Sequence, residues 1–250
     1  MPASGQLGSR LRSGLLFAPL YALATIAYGA ASMVCSPFDG HGRRQHRIAR
    51  AWARMLLRLA RVRVHTEGLE NLPRAAPAVM VCNHLSYMDV PVLFATLPLQ
   101  FRILARQGLF RIPFLGGHLK RAQHLPVDQS NPRASLRSLQ LAAAAVASGL
   151  PLFIFPEAGR SFSGEMRPFV PGAFHIAIQA QVPVVPMVLI GTYEILPPGT
   201  AHLRPGVVEL VIGPPVPTAG LDRRQAPQLA ERVRDQMLAV YQRRRPAHAR

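Results

Sequence analysis

Ala78-Val79-Met80-Val81-Cys82-Asn83-His84-Leu85-Ser86-Tyr87-Met88-Asp89 decides how this chain is read. The first five residues form a short apolar run, too short for a helix of its own and rich in valine, which predicts a buried strand. A polar break follows, and Met88–Leu97 then reads as a helix. His84 therefore falls at the carboxyl end of a strand, where the chain turns into a helix. Open α/β sheets place ligands there. The pattern recurs at Leu152–Phe155, which runs into Pro156-Glu157-Ala158-Gly159-Arg160-Ser161.

Further runs bounded by Gly, Pro or polar residues predict strands at Val62–His65, Phe101–Leu104, Val184–Ile190 and Val207–Ile212. Helical candidates between them are Ala134–Ser148, stopped by Gly149, and Pro171–Ala180. Leu229, Val233, Met237 and Tyr241 at helical spacing predict a closing helix within Asp222–Arg245. The alternation specifies an α/β fold, a mixed sheet with flanking helices. The 250 residues suffice for one such domain.

Upstream, Ser13–Phe38 carries no charge, and Leu15–Val34 is 20 residues long, about the length that crosses a hydrocarbon core. Alanines, Pro19 and Gly29 dilute it, so an interfacial or re-entrant helix competes with a span, and a signal peptide is a third alternative. Ile48–Leu59 is amphipathic, with Trp52, Met55, Leu56 and Leu59 on one face, suited to core packing or to membrane contact. Residues 1–60 thus read as an N-terminal membrane-associated helical region, and 61–250 as the main domain. Apolar residues at 49% and charged residues at 16% exclude a disordered chain. With 29 basic and 12 acidic side chains, net +17, the expected partners are polyanions. Nucleic acid is disfavoured, because no zinc finger, RNP-like signature or glycine-rich phosphate loop occurs. Cys35 and Cys82 support no disulfide framework. No metal is expected either: the loose His41 and His46 pair sits in a basic run that repels cations.

A neutral imidazole suits His84 to take a proton from a hydroxyl, with a carboxylate to fix its tautomer. Asp89 lies five residues on, a spacing that on one helix points two side chains about 140° apart. The pair therefore works only with His84 in the loop and Asp89 in the first helical turn. Ser86 and Asp89 also form S-x-x-D, so Asp89 equally suits a helix cap. In the second segment Arg160 and Ser161 offer donors for a phosphate beside small residues, and the alternative is a turn holding a local Glu157–Arg160 pair. Cys82 reads as a buried strand residue.

Asn83-His84-x4-Asp89, then Phe155-Pro156-Glu157-Ala158-Gly159-Arg160-Ser161, then Val182-Pro183-Val184-Val185-Pro186 resemble, in order and spacing, the first, third and fourth blocks of the lysophospholipid acyltransferase family. The family includes the 1-acyl-glycerol-3-phosphate acyltransferases. The resemblance covers about residues 65 to 215. It implies a glycerolipid acyltransferase-like fold, with His84 as general base and Asp89 its partner. It further implies that Asn83, Ser86, Arg106, Glu157, Gly159, Arg160 and Ser161 bind substrate, Arg106 standing where a lysine commonly precedes F-x-x-P-x-x-G. Three departures stand out. Gln123 and Gln129 replace the glycine and the arginine of G-x-x-F-I-D-R, and Ala158-Gly159 replaces the more usual glycine-threonine. Loss of an arginine removes a bidentate phosphate contact, which Arg121 or Arg133 would have to supply.

The activity so implied is O-acyl transfer from acyl-CoA or acyl-carrier protein to a lysophospholipid, most simply 1-acyl-glycerol-3-phosphate, giving phosphatidic acid. No cofactor beyond the acyl donor is expected. The absence of G-x-S-x-G argues against an α/β-hydrolase. The basic balance then fits an anionic membrane, at the cytoplasmic face of the cell inner membrane. The alternatives are a different acceptor, such as a lyso-amino-acid lipid, and a degenerate basic membrane-binding protein.

Overall fold

The computed structural model describes residues 17–35, 39–73, 76–128 and 130–245. Its centre is a seven-stranded sheet in the order β1-β7-β6-β2-β5-β3-β4. The strands are β1 (Val62–Glu67), β2 (Val79–Cys82), β3 (Arg102–Arg106), β4 (Leu125–Val127), β5 (Leu152–Ile154), β6 (Val184–Ile190) and β7 (Gly206–Ile212). Neighbours pair in parallel except β6 and β7, which run antiparallel. The sheet is therefore mixed, as the sequence predicts. Helices cover both faces, so central strands are buried on both sides and read as unbroken apolar runs. All seven residues of β6 are buried. Along β2, Val79 and Val81 pack into one core and Met80 and Cys82 into the other.

The helices are α1 (Ala18–Cys35), α2 (Arg43–Leu59), α3 (Asp89–Thr96), α4 (Leu115–Arg121), α5 (Pro132–Ala147), α6 (Gly172–Ala180), the short α7 (Thr192–Ile195) and α8 (Ala226–Arg244). Their ends follow local chemistry. Asn131 caps α5 by accepting from the Ala134 amide at 2.9 Å, with Pro132 in the first turn. Asp222 and Gln225 form a capping box one turn before α8. The sequence does not single out β4: it is three residues long, contains Pro126, and sits at the sheet edge, where a missing N–H donor is tolerated.

The amphipathic segment predicted over Ile48–Leu59 starts earlier, at Arg43. Asp39 accepts the Arg43 amide at 3.1 Å and also that of Arg44. The face this helix buries includes Ala49, Ala53, Leu56 and Leu57; of the face predicted from the sequence only Leu56 is buried, while Trp52 and Met55 are half-buried and Leu59 is exposed. The N-terminal region is thus bound to the main domain. Within it, α1 lies on α2 through an edge-on Tyr21–Trp52 contact and a 3.2 Å hydrogen bond from Trp52 Nε1 to Thr25 Oγ1. The spanning alternative finds no support: among the described residues no helix is long and apolar enough to cross a membrane. Of the predicted segment Leu15–Val34, Leu15 and Leu16 lie outside the described residues, and α1 as described is 18 residues long.

Candidate active site

The sheet register builds the site. Val81 of β2 pairs with Ile154 of β5, and three residues beyond each stand His84 and Glu157. The His84 amide donates to Glu157 Oε1 at 2.8 Å, and the Arg167 amide donates to Oε2 at 2.8 Å. Ser161 N–H closes the same juncture on the His84 carbonyl at 2.9 Å. Glu157 is thus a buried brace between two loops, where the sequence resemblance implies a ligand contact. Burial raises its carboxyl to about 7, and that effect outweighs the two amide donors, which pull the value down.

Past Cys82 the chain leaves the strand, and Asp89 opens α3, so the pair meets across the turn. His84 Nδ1 lies 2.8 Å from Asp89 Oδ2, and the amides of Leu85 and Ser86 donate to that same oxygen at 2.8 Å each. Asp89 therefore holds the imidazole and ties down the preceding loop; it makes no side-chain cap on the helix it opens, so of the two readings the sequence allowed the structure takes the pairing with His84. The carboxylate is fully buried, and its Oδ1 has no hydrogen-bond partner among the described residues. The His84 ring stacks on Phe155 with centroids 3.8 Å apart and planes 15° apart. With Nδ1 committed to Asp89, the proton there leaves Nε2 as the basic nitrogen. Nε2 makes no hydrogen bond among the described residues.

Two of the residues expected to bind substrate face inward. Asn83 is fully buried; its side chain donates to Leu189 O at 2.9 Å and accepts from Leu189 N at 2.8 Å, which extends the β2–β6 pairing past the last strand residue. Ser86 is equally buried, donates to Leu196 O at 2.7 Å and accepts from the Met88 amide at 3.0 Å. Both fix the turn and have no free polar group for a ligand. Ser161, also buried, shares a hydrogen bond with Ser163. Cys82 is fully buried and its thiol is pushed up by desolvation, which fits the packing role read from the sequence.

Three arginines gather around the loop that follows Glu157. Arg160 donates from Nε to the Ser86 carbonyl at 3.1 Å, with its guanidinium 4.5 Å over the Tyr87 ring. It does not pair with Glu157. Arg106 reaches from the end of β3 to the Ala158 carbonyl at 2.8 Å. A Cβ added at Gly159 would come within 3.2 Å of Arg167 Nη1 and 3.5 Å of Arg106 Nη2. Arg106, Arg160 and Arg167 make no ion pair among the described residues. Arg167, and the stacking of Phe155 on His84, escape the sequence reading. Nothing local marks Arg167, and only the fold carries it back across Gly159.

The departures from the family pattern resolve differently. Gln123 and Ala158, the two non-glycine residues in glycine positions, sit at φ 57° and 56°. Gln123 compensates through its amide, which accepts from buried Arg102 at 3.0 Å and donates to Gly40 O at 2.9 Å. It ties β3 to the start of α2. Gln129 lies outside the described residues. His118 and His124, without evident partners in sequence, have them in the fold: Ser32 Oγ at 2.8 Å and the Ile103 amide at 3.1 Å. Burial holds both imidazoles well below their usual range, His118 at about 4.

A buried His–Asp couple at the carboxyl end of a central strand, beside unpaired arginines, fits what comparison with known proteins returns. The family model described as Acyltransferase matches residues 63–190, more than half of the chain, and the chain belongs to that family. Its curated relatives carry the name 1-acyl-sn-glycerol-3-phosphate acyltransferase. The chain is 34% identical over 218 residues to the chloroplastic protein BAT2 of Brassica napus, covering 84% of this chain and 62% of that one. It is 32% identical over 181 residues to the alpha protein of Homo sapiens, covering 72% and 64%. The chain thus spans somewhat under two thirds of the length of these relatives. The crystal structure of the 1-acyl-sn-glycerophosphate (LPA) acyltransferase PlsC from Thermotoga maritima shares the fold, with a TM-score of 0.79, 22% identity, and coverage of 95% of this chain and 97% of that one.

Proposed function

We propose that this chain transfers a fatty acyl group from acyl-CoA or acyl-carrier protein to the free hydroxyl of 1-acyl-glycerol-3-phosphate, giving phosphatidic acid. The observation that carries this is the His84–Asp89 couple at 2.8 Å with Nε2 open. Nε2 takes the hydroxyl proton as the oxygen attacks the thioester carbonyl. The tetrahedral intermediate then collapses with loss of the sulfur, and the imidazolium returns the proton to the departing thiolate. Asp89 fixes the tautomer and offsets the positive charge of the imidazolium. The Gly159 and Arg160 amides, which make no hydrogen bond among the described residues, and the Arg106 guanidinium are the donors available to the oxyanion. Arg160, Arg106 and Arg167 would hold the acceptor phosphate.

Membrane association belongs to the same proposal. On α1 the outward side chains are apolar, with Leu23 63% and Val34 73% exposed, and α1 has no charged residue. That is the reverse of a helix facing water, and it suits a helix lying in the headgroup region. An anionic cytoplasmic leaflet is the surface that matches the charge of +17. The test is release of free thiol from acyl-CoA by purified protein in detergent, with lysophosphatidate as acceptor. Acceptor-dependent release, abolished by His84→Ala in a folded protein, is expected. Folded wild type that releases no thiol with any lysolipid, or with acyl-carrier protein as donor, would exclude acyl transfer.

A further inference from the structure

Beyond Arg106 the chain enters a short 3-10 turn and then α4, and three apolar side chains face outward there. Leu109, Ile112 and Phe114 are 39%, 45% and 45% exposed. Phe114 is held out by its own backbone. At φ 61° and ψ −53°, with Leu115 N–H on Pro113 O at 2.7 Å, it occupies a positive-φ γ-turn, a rare and strained conformation. The following turn is close-packed: Gly116 lies against the Phe110 carbonyl, where a Cβ would come within 2.3 Å of the oxygen. Strain that keeps an aromatic ring in water points to a role for the exposed ring.

The ring emerges beside α1. A Cβ at Gly29 would lie 3.3 Å from Phe114 Cβ, and exposed Ile26 and Met33 flank Gly29 on the helix surface at i−3 and i+4. The turn therefore continues the outward apolar ridge of α1. Its rim is cationic. Arg111, Lys120 and Arg121 are exposed and make no ion pair among the described residues; the acidic group nearest in charge is Asp128, which feels Arg111, and Lys120 and Arg121 face none. An apolar face bordered by free cations is complementary to an anionic bilayer, whose acyl chains take the rings and whose phosphates take the guanidinium and ammonium groups.

We propose that the Ile112–Phe114 turn is a second membrane contact, entering the headgroup–acyl boundary of an anionic bilayer beside α1 and setting Arg106 and the site at the lipid surface. The proposal rests on the membrane reading of α1. It is tested on the full chain carrying Phe114→Trp in a Trp52→Phe background, since Trp52 is the one native tryptophan. Vesicles are phosphatidylcholine alone or mixed with phosphatidylglycerol, with and without brominated acyl chains. A blue shift and bromine quenching on the anionic vesicles are expected. Ile112→Ser with Phe114→Ser should weaken vesicle binding roughly tenfold with the circular dichroism spectrum unchanged. If the protein binds vesicles but the probe stays in water, the turn is not a contact, while the α1 reading stands. If wild type binds no vesicle, both fall. A blue shift without vesicles that grows with protein concentration would assign the face to a second copy and overturn the proposal.

Discussion

Asp89 Oδ2 serves His84 Nδ1 and two backbone amides at once, all at 2.8 Å. The residue that orients the imidazole therefore also builds the loop that carries it. Asp89→Asn keeps a carbonyl oxygen for the amides but removes the charge that offsets an imidazolium. The expected outcome in the thiol-release assay is a fall in kcat of about 10²–10⁴-fold with KM little changed. The melting temperature should move by only a few degrees. A variant with near wild-type kcat would remove Asp89 from the chemistry and leave it a brace for the loop before α3.

How much of this was legible in advance depends on how local each signal is. The junctures at His84 and Glu157 could be read because a strand followed by a turn is written in consecutive residues. The side of the turn on which a polar residue ends up is decided by partners far along the chain. Asn83 meets Leu189, and Ser86 meets Leu196, more than a hundred positions away, so neither could be sorted from a ligand contact by sequence. Arg167 was invisible for the same reason. Arg102 and Gln123 show another case: a glutamine that stands where the family pattern has a glycine turns out to accept from a buried guanidinium.

Ala158 pays a backbone penalty at φ 56° that glycine would not. A left-handed conformation costs an ordinary residue about 1–2 kcal/mol, and glycine gives back about 0.4–1 kcal/mol through its freer unfolded chain. Ala158→Gly should therefore stabilise the protein by ~0.5–1 kcal/mol, a rise of about 1–4 °C in Tm. Calorimetry decides it: an unchanged or lower Tm would mean that the loop relaxes around alanine.

Glu157 makes stability depend on pH. Its folded value of about 7 lies above the ordinary 4.5, so the folded state holds the proton more tightly than the unfolded chain. The resulting stabilisation is fully present below about pH 4.5 and is lost as pH rises through about 7, amounting to about 3 kcal/mol across that window. Glu157→Gln cannot titrate. Subtracting its urea-unfolding free energies from those of wild type at pH 5, 6, 7 and 8 should give a difference that moves steadily against wild type as pH rises. A flat difference would mean that the two amide donors keep the carboxylate ionised throughout.

Gly159 and Arg167 together offer an answer to the arginine missing at position 129. The more usual threonine at 159 would put a Cβ 3.2 Å from Arg167 Nη1 and 3.5 Å from Arg106 Nη2; glycine leaves that space to two guanidinium groups. Like charges gathered over one backbone position, with Glu157 occupied by amides, are stabilised by an anion between them. A charged hydrogen bond contributes about 1.5–3 kcal/mol, so Arg167→Ala should raise KM for lysophosphatidate by about 10–100-fold. The effect should be much smaller for lysolipids without a phosphomonoester, and kcat should hold. Gly159→Thr should act in the same direction and more weakly, by displacing the guanidinium groups without deleting either. If Arg167→Ala instead lowers kcat equally for every acceptor, its contribution is to the loop braced by Glu157, and the phosphate must be held elsewhere.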